Sequence, residues 1–116
     1  MAVTLTMLKR SKGGSGLRAL VQVVFSGNYP ANGEPVDFSA VVGFTNREPD
    51  DVDVMGKAGF VYQYDPVNDK ILVYCNTAGG ANAPLGEHTA AAYAAGVTGD
   101  SITAECEWRT VPSLPV

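Results

Sequence analysis

Apolar and polar residues alternate along two segments of the chain, one near each end. In Ala2–Leu8 the apolar side chains are separated by threonines, and in Ser101–Arg109 they are separated by threonine, glutamate and arginine. A period of two is typical of a strand with one buried and one solvated face. A third segment, Leu17–Phe25, is almost continuously apolar after its second residue, which predicts a strand covered on both faces.

Two further runs predict a β-hairpin. Phe60–Tyr64 and Lys70–Cys75 are rich in aromatic and β-branched residues, and the five residues between them include proline, asparagine and aspartate. That combination is typical of two paired strands and their connecting turn. Alternation along the first run places Phe60, Tyr62 and Tyr64 on one face, where cross-strand contacts with aliphatic residues stabilise the pair.

Less regular segments lie between these strands. Val36–Phe44 predicts a short strand. Lys9–Gly16 is polar with three glycines and predicts a flexible, exposed loop, and Asn46–Gly59, which is acidic around a proline, predicts a surface loop. Asn76–Asp100 is rich in glycine and alanine, and it fits either a short helix over Glu87–Ala95 or an extended loop.

Length and composition fit one β domain. The chain has 116 residues, of which 46% are hydrophobic and 17% are charged, and its thirteen glycines and seven prolines disfavour a helical bundle. We therefore expect an all-β fold over residues 1–109, either an antiparallel sandwich or a jelly-roll-like barrel with a flexible loop. Residues 110–116 contain two prolines and predict an extended C-terminal tail.

The charge of the chain is divided unevenly. Residues 1–33 contain four basic residues and no acidic one, whereas residues 34–116 contain four basic and all twelve acidic residues. Opposite charges on two parts of a chain suit head-to-tail contact between subunits, although a solvated basic loop explains the same distribution. Nucleic-acid binding is disfavoured because an acidic domain repels phosphate and the basic cluster has no interleaved aromatic residues.

No segment predicts a membrane span or a signal peptide. The longest stretch of weakly polar residues, 78–97, contains Glu87 and His88. The apolar runs on either side of them are too short to cross a bilayer. The first residues lack the charged start, apolar run and cleavage site of a secretory signal. We therefore expect a protein that is made in the cytosol and has no membrane partner.

The chain contains few residues suited to catalysis. His88 is the single histidine, which excludes a site built on several histidines, and its glycine- and alanine-rich surroundings predict a solvated loop residue. Cys75 and Cys106 lie on the apolar phase of their strands and predict buried, reduced thiols; a Cys–His nucleophile would need one of them exposed and activated. The acidic run 48–53 lacks the spacing of a calcium loop. We expect no enzymatic activity, cofactor or metal.

Two segments resemble small structural proteins of tailed bacteriophages. Tyr29-Pro30-Ala31-Asn32-Gly33-Glu34 is similar to a Y-P-x-G-G-E turn, with asparagine where a first glycine is commoner, and residues 59–74 are similar to a hairpin of the pattern G-Y-x-x-x-Y-D followed by N-x-K-I/L. In capsid decoration proteins, also called cement proteins, such a turn precedes such a hairpin. The resemblance covers roughly residues 1–75.

This resemblance implies a β-structured homotrimer bound to the outside of a phage head, in the virion, with arms that hold neighbouring subunits of the major capsid protein. It implies neither nucleic acid nor membrane as a partner. We expect the partner contacts at basic residues that pair with carboxylates and at apolar residues of the tail, namely Lys9, Arg10, Lys12, Val111, Leu114 and Val116.

Two other functions fit the same sequence. The first is a component of the phage tail or of the head–tail connector. The second is a ligand- or carbohydrate-binding β-sandwich module in which Trp108 and several tyrosines stack on sugars, although aromatic residues at strand phase more often belong to a core or an interface. Those tyrosines are Tyr62, Tyr64, Tyr74 and Tyr93.

Overall fold

The computed structural model describes residues 3–13, 16–42, 48–75 and 85–109. Within these ranges the chain forms strands joined by turns, together with two short helices. The strands are β1 (Val3–Gly13), β2 (Gly16–Phe25), β3 (Glu34–Pro35), β4 (Asp51–Met55), β5 (Val61–Asp65), β6 (Lys70–Cys75), β7 (Gly86–Glu87) and β8 (Ile102–Arg109). The helices are α1 (Phe38–Val42) and α2 (Ala95–Thr98).

The strands form two antiparallel sheets. The first has the order β1-β2-β8-β4, and the second has the order β3-β6-β5 with β7 paired to β6. The expected all-β antiparallel fold is confirmed. Within the described residues β4 pairs with β8 and β5 pairs with β6, so the sheets are not joined into a closed barrel at β4 and β5.

The core lies between the two sheets. Trp108 of β8 and Phe25 of β2 are almost fully buried, and they share the interior with Phe38 of α1 and Ile71 of β6. Along β2 buried positions alternate with exposed or half-exposed ones, so the prediction that Leu17–Phe25 is covered on both faces is wrong. The strand is covered on one face, and its outward apolar residues stand on a solvated one.

The basic segment near the N-terminus is a strand. The prediction of a flexible loop at Lys9–Gly16 is wrong for residues 9–13, which continue β1 and pair with β2, from Lys9 opposite Leu20 to Gly13 opposite Gly16. Pairing through the backbone needs no apolar side chain, which is why composition did not reveal it. The register shifts between Met7 and Lys9, and such a bulge reverses which side chains face inward.

Two acidic or mixed segments also differ from expectation. In the described part of Val36–Phe44, residues 36–42, the chain forms helix α1 and not the expected strand; Oδ1 of Asp37 accepts the Ala40 N–H at 3.1 Å and caps the first turn. The loop expected at Asn46–Gly59 contains β4, in which Val52 and Val54 are buried between outward acidic residues. The alternation of acidic and apolar residues in Asp51–Met55 is therefore a better predictor of local structure here than the acidic composition.

The predicted hairpin is confirmed as β5 and β6. Tyr62 and Tyr64 are buried and pair opposite Val73 and Ile71. Asp65 holds the turn, since its carboxylate accepts the Val67 N–H at 2.9 Å and the Asn68 side-chain amide at 2.9 Å. Asp69, further along the same turn, has a positive φ of 55°.

Residues 85–100 form neither of the two predicted arrangements in full. The helix expected over Glu87–Ala95 is wrong, because Glu87 belongs to β7 and the short helix α2 begins only at Ala95. Residues 86–88 pair with β6, and residues 91–93 bond to the backbone of residues 27–29; residues 76–84 of the predicted segment lie outside the described residues. The His88 N–H donates to the Val73 carbonyl at 2.8 Å and holds the chain against the second sheet.

Candidate interaction surface

The outer face of the first sheet carries its charge in ordered rows. One row runs from Lys9 on β1 through Leu20 on β2 and Glu105 on β8 to Asp53 on β4, as the registers of the three strand pairs show. Residues directly opposite one another in neighbouring strands lie about 5 Å apart. The row therefore begins with a cation at one edge of the sheet and ends with two carboxylates toward the other.

The next row also ends in two carboxylates, but its cation lies one strand further from the edge. It runs from Ser11 through Arg18 and Glu107 to Asp51. Arg18 and Glu107 form an ion pair of 2.9 Å, with the Arg18 side chain 65% exposed; an exposed pair of this kind contributes little to stability. Its position inside the sheet marks where the basic half of the face meets the acidic half.

The predicted basic contact residues are placed by β1 in two different ways. Lys9 is exposed and lies opposite the outward Leu20, whereas Arg10 lies opposite the buried Ala19. The Arg10 guanidinium donates to the carbonyl of Val42 at 3.0 Å, so it binds the last residue of α1. Part of the predicted partner-binding cluster thus has a role inside the domain.

Lys12 is placed only through its backbone, which pairs opposite Leu17. The predicted tail contacts Val111, Leu114 and Val116 lie outside the described residues. The structure therefore brings Lys9, Arg10 and the backbone of Lys12 together on one edge strand.

Two shallow grooves border the charged rows. One of about 490 Å³ lies at the basic edge and is lined by Lys9, Arg10, Arg18 and Glu105 among others. The other, of about 390 Å³, lies between β4 and β5 and is lined by Val52–Met55, the tyrosines of β5 and Glu105. The first groove crosses the face of β1, β2 and β8, whereas the second lies between two strands that do not pair with each other and suits an extended segment of another chain.

A buried polar cluster fastens the loops that precede β3 and α2. The Tyr29 hydroxyl donates to Oε2 of Glu87 at 2.6 Å, and the Tyr93 hydroxyl donates to Oε1 of the buried Glu34 at 2.7 Å. The Tyr29 oxygen also lies 3.4 Å from the Val73 N–H. Among the described side chains no buried nitrogen or oxygen lacks a hydrogen-bond partner, so the cluster is fully satisfied.

His88 belongs to this cluster, and its prediction as a solvated loop residue is wrong. The ring is 7% exposed and lies between Tyr29 and Tyr93. Nε2 accepts the Ala94 N–H at 3.1 Å, so the proton is on Nδ1, which donates to the Thr89 carbonyl at 2.7 Å. With both nitrogens engaged by the backbone, the ring has none free to activate a thiol.

The thiols differ from each other. Cys106 is fully buried as expected, and burial raises the pKa of its thiol to about 12, so it is protonated and a poor nucleophile at neutral pH. Cys75 is only half-buried, which corrects the prediction that both are buried. Neither is in a disulfide. Cys106 is therefore suited to packing and not to nucleophilic chemistry.

The aromatic residues considered for sugar stacking are mostly internal. Trp108, Tyr62, Tyr64 and Tyr93 are each less than one-tenth exposed, and Phe25 stacks on Tyr62 and Tyr93 with ring centroids 6.1 and 5.0 Å away. Rings buried in a core do not present a face to a ligand. Tyr74 is half-buried, so four of the five aromatic residues considered for sugar stacking are not available to a ligand.

The described residues contain no group of three or more histidine, cysteine or carboxylate side chains arranged to hold a metal ion. In the same part of the chain no helix has the length and apolar character needed to cross a membrane. The chain matches no protein-family model, and no curated protein or solved structure matches it.

Proposed function

We propose that this protein is a structural, non-enzymatic decoration protein of a bacteriophage head, which stabilises the capsid by binding subunits of the major capsid protein from outside. The observation that carries the proposal is that the two segments resembling decoration proteins form one unit. Glu34 and Pro35, at the end of the turn segment, pair with Ile71 and Lys70 of the hairpin, and this unit presents structural contacts and no set of reactive groups.

The turn segment owes its shape to its own residues. Asn32 and Gly33 both have positive φ, of 71° and 113°. A Cβ on Gly33 would lie 3.1 Å from the Cβ of Lys70, so glycine permits both the backbone conformation and the close approach to β6. Glycine at this position agrees with the second glycine of the Y-P-x-G-G-E pattern, and this agreement supports the proposal.

Polar side chains in the interior also hold separate segments of the chain together. Tyr29, Tyr93 and His88 join the connection before α2 to the second sheet. A protein that acts by being a stable part of a larger assembly needs such fixed loops and edges that bind neighbours, and needs no nucleophile or acid–base pair. The charged rows across the first sheet supply surface for such neighbours.

The experiment is sedimentation of purified protein with purified heads of the phage that encodes it. We expect the full chain to be recovered with the heads and a variant lacking residues 110–116 to be recovered much less. If residues 110–116 act as an arm, ordering them costs about 1–2 kcal/mol per residue, and contacts of Val111, Leu114 and Val116 with the capsid must exceed that cost.

Thermal unfolding of the isolated deletion variant should match that of the full chain. A matched control for loss of apolar surface is Val67→Ser, since Val67 is 84% exposed at the hairpin turn; it should bind heads normally. If the full chain is not recovered with heads, the proposed function is wrong. Recovery of the deletion variant equal to that of the full chain would show that the tail is not an arm.

A further inference from the structure

Both edges of the first sheet end in charged strands of opposite sign. β1, at one edge, carries Lys9, Arg10 and Lys12, and β4, at the other, carries Asp51 and Asp53. In the described residues β1 pairs with β2 alone and β4 pairs with β8 alone, and the unpaired edge of β4 borders the groove that it shares with β5. A sheet edge presents backbone N–H and C=O groups that can pair with another chain.

We propose that copies of this chain associate head to tail, with β1 of one copy pairing antiparallel to β4 of the next. The interaction surface is the pair of opposite sheet edges, and the partner is a second copy of the same chain. The number of copies in the resulting ring, three, rests on the proposed function. The pairing of β1 with β4 does not depend on that function.

Strand direction permits this contact. Neighbouring strands in the order β1-β2-β8-β4 are all antiparallel, so β1 and β8 run one way and β2 and β4 run the other. A second copy in the same orientation, placed beside β4, meets it with a β1 strand that is antiparallel. The sheet then continues from one copy into the next without a break in the alternation.

Charge selects this contact over symmetric ones. Two β1 strands pairing with each other would bring Lys9 and its basic neighbours face to face, and two β4 strands would do the same with Asp53 and its acidic neighbours. Like charges directly opposite on neighbouring strands are destabilising, and lysines on edge strands oppose self-pairing for this reason. Pairing β1 with β4 instead places opposite charges together.

The rows across the outer face suggest the register. The row that begins at Lys9 ends at Asp53 after two intervening strands, so continuing it into a second copy brings the next Lys9 beside Asp53 and near Glu105. Such heterologous contacts close into rings when the rotation between copies closes, and they form filaments when it does not.

The test is the association state of the isolated protein, measured by sedimentation velocity at micromolar concentration in the absence of heads. We expect the wild type to associate, and each of Lys9→Glu and Asp53→Lys to weaken association about tenfold, a change of about 1.4 kcal/mol. The double variant, with the charges exchanged, should recover association. Lys57→Glu, an exposed lysine in the loop after β4, is the matched control and should leave association unchanged.

Mixing the two single variants adds a second reading. Each retains one native edge that complements the native edge of the other, so an equimolar mixture should associate more tightly than either variant does alone. A symmetric β1–β1 or β4–β4 contact behaves differently, since one of the single variants would then associate as the wild type does. That outcome would overturn the proposal.

Cross-linking locates the contact. A carbodiimide joins a lysine to a carboxylate only when the two touch, and within one chain Lys9 and Asp53 are three strands, about 14 Å, apart. A Lys9–Asp53 link between isotopically light and heavy copies is the expected product. A monomeric wild-type protein would refute the proposal. It would also be refuted if the wild-type protein associates but gives no Lys9–Asp53 link and neither charge reversal changes its association. Heads are absent throughout, so failure here is distinct from failure to bind a capsid.

Discussion

Tyr29 and Glu87 are 58 residues apart in sequence, and the tyrosine hydroxyl donates to the glutamate carboxylate at 2.6 Å. The same carboxylate oxygen accepts the backbone N–H of Asn32 at 2.9 Å. Glu87 thereby fixes both the ring that closes the core and the positive-φ turn that leads to β3. A single side chain thus links the turn segment to the connection that packs on β6.

Removing the hydroxyl of Tyr29 should destabilise the fold. In Tyr29→Phe the Glu87 carboxylate loses its bond to the ring, and the buried Val73 N–H loses its contact with the phenol oxygen. Leaving such groups unpaired costs about 1–3 kcal/mol, which urea unfolding monitored by circular dichroism will measure. Tyr74→Phe, on the half-buried Tyr74 of β6, is the control and should change stability much less. An equal loss of stability in the two variants would mean that the hydrogen bond between Tyr29 and Glu87 does not contribute to folding.

The tyrosines make the protein sensitive to alkali. Burial and the hydrogen bonds that they donate to carboxylates raise the pKa values of four of them, Tyr29, Tyr62, Tyr64 and Tyr93. Folding therefore favours their neutral forms. Their contribution to stability is complete below about pH 10, the value for an unfolded tyrosine, and it is lost as the pH rises above that value.

We expect these four phenols to ionise together with unfolding. Phenolate absorbance and circular dichroism, followed against pH, should change in one cooperative transition above pH 10. Phenolate forming in these residues while the circular dichroism stays native would contradict the buried hydrogen bonds described here.

Gly33 should tolerate a methyl group less well than Gly59. Both have positive φ, of 113° and 93°, but a Cβ on Gly33 meets β6 whereas a Cβ on Gly59 has no neighbour within 4 Å among the described residues. Gly33→Ala therefore adds steric conflict to a backbone cost of about 1 kcal/mol. Chemical denaturation of the two variants should show a greater loss for Gly33→Ala, and a greater loss for Gly59→Ala would be inconsistent with the packing of the turn.

The two cysteines should react at different rates with a thiol reagent. Cys75 is half-buried, whereas Cys106 is fully buried and has a pKa raised to about 12. In the native protein, mass spectrometry should find Cys75 modified first, and Cys106 modified only with unfolding. Under denaturing, non-reducing conditions both should be modified. Native labelling of Cys106 before Cys75 would contradict the core described here.

Side-chain alternation predicted some of the strands with one buried face but missed β4, whose acidic residues were interpreted as a loop. It identified β8 and the hairpin of β5 and β6, because Trp108, Ile102 and Tyr64 must face the core for these strands to pair. It failed for residues 9–13 of β1, which pair through the backbone, and for the face of β2, since an apolar run such as Val23-Val24 does not say which residue stays in water.

The candidate site was only partly foreseeable. The basic and acidic portions of the chain were visible in the sequence, but their placement on opposite edges of one sheet depends on β8 pairing between β2 and β4. The burial of His88 was not predicted because its hydrogen-bond partners are backbone groups of Thr89 and Ala94. No pattern of side chains in the sequence indicates such bonds. Asn32 and Gly33, by contrast, were recognisable as turn residues.

We propose that this protein decorates the phage head, and its copy number in purified virions, measured by quantitative mass spectrometry relative to the major capsid protein, tests this role. We predict many copies per head, in fixed proportion to the capsid subunits, retained when tails are removed. A single ring of copies that is lost with the tail or connector, or absence of the protein from the virion, would contradict a role in head decoration.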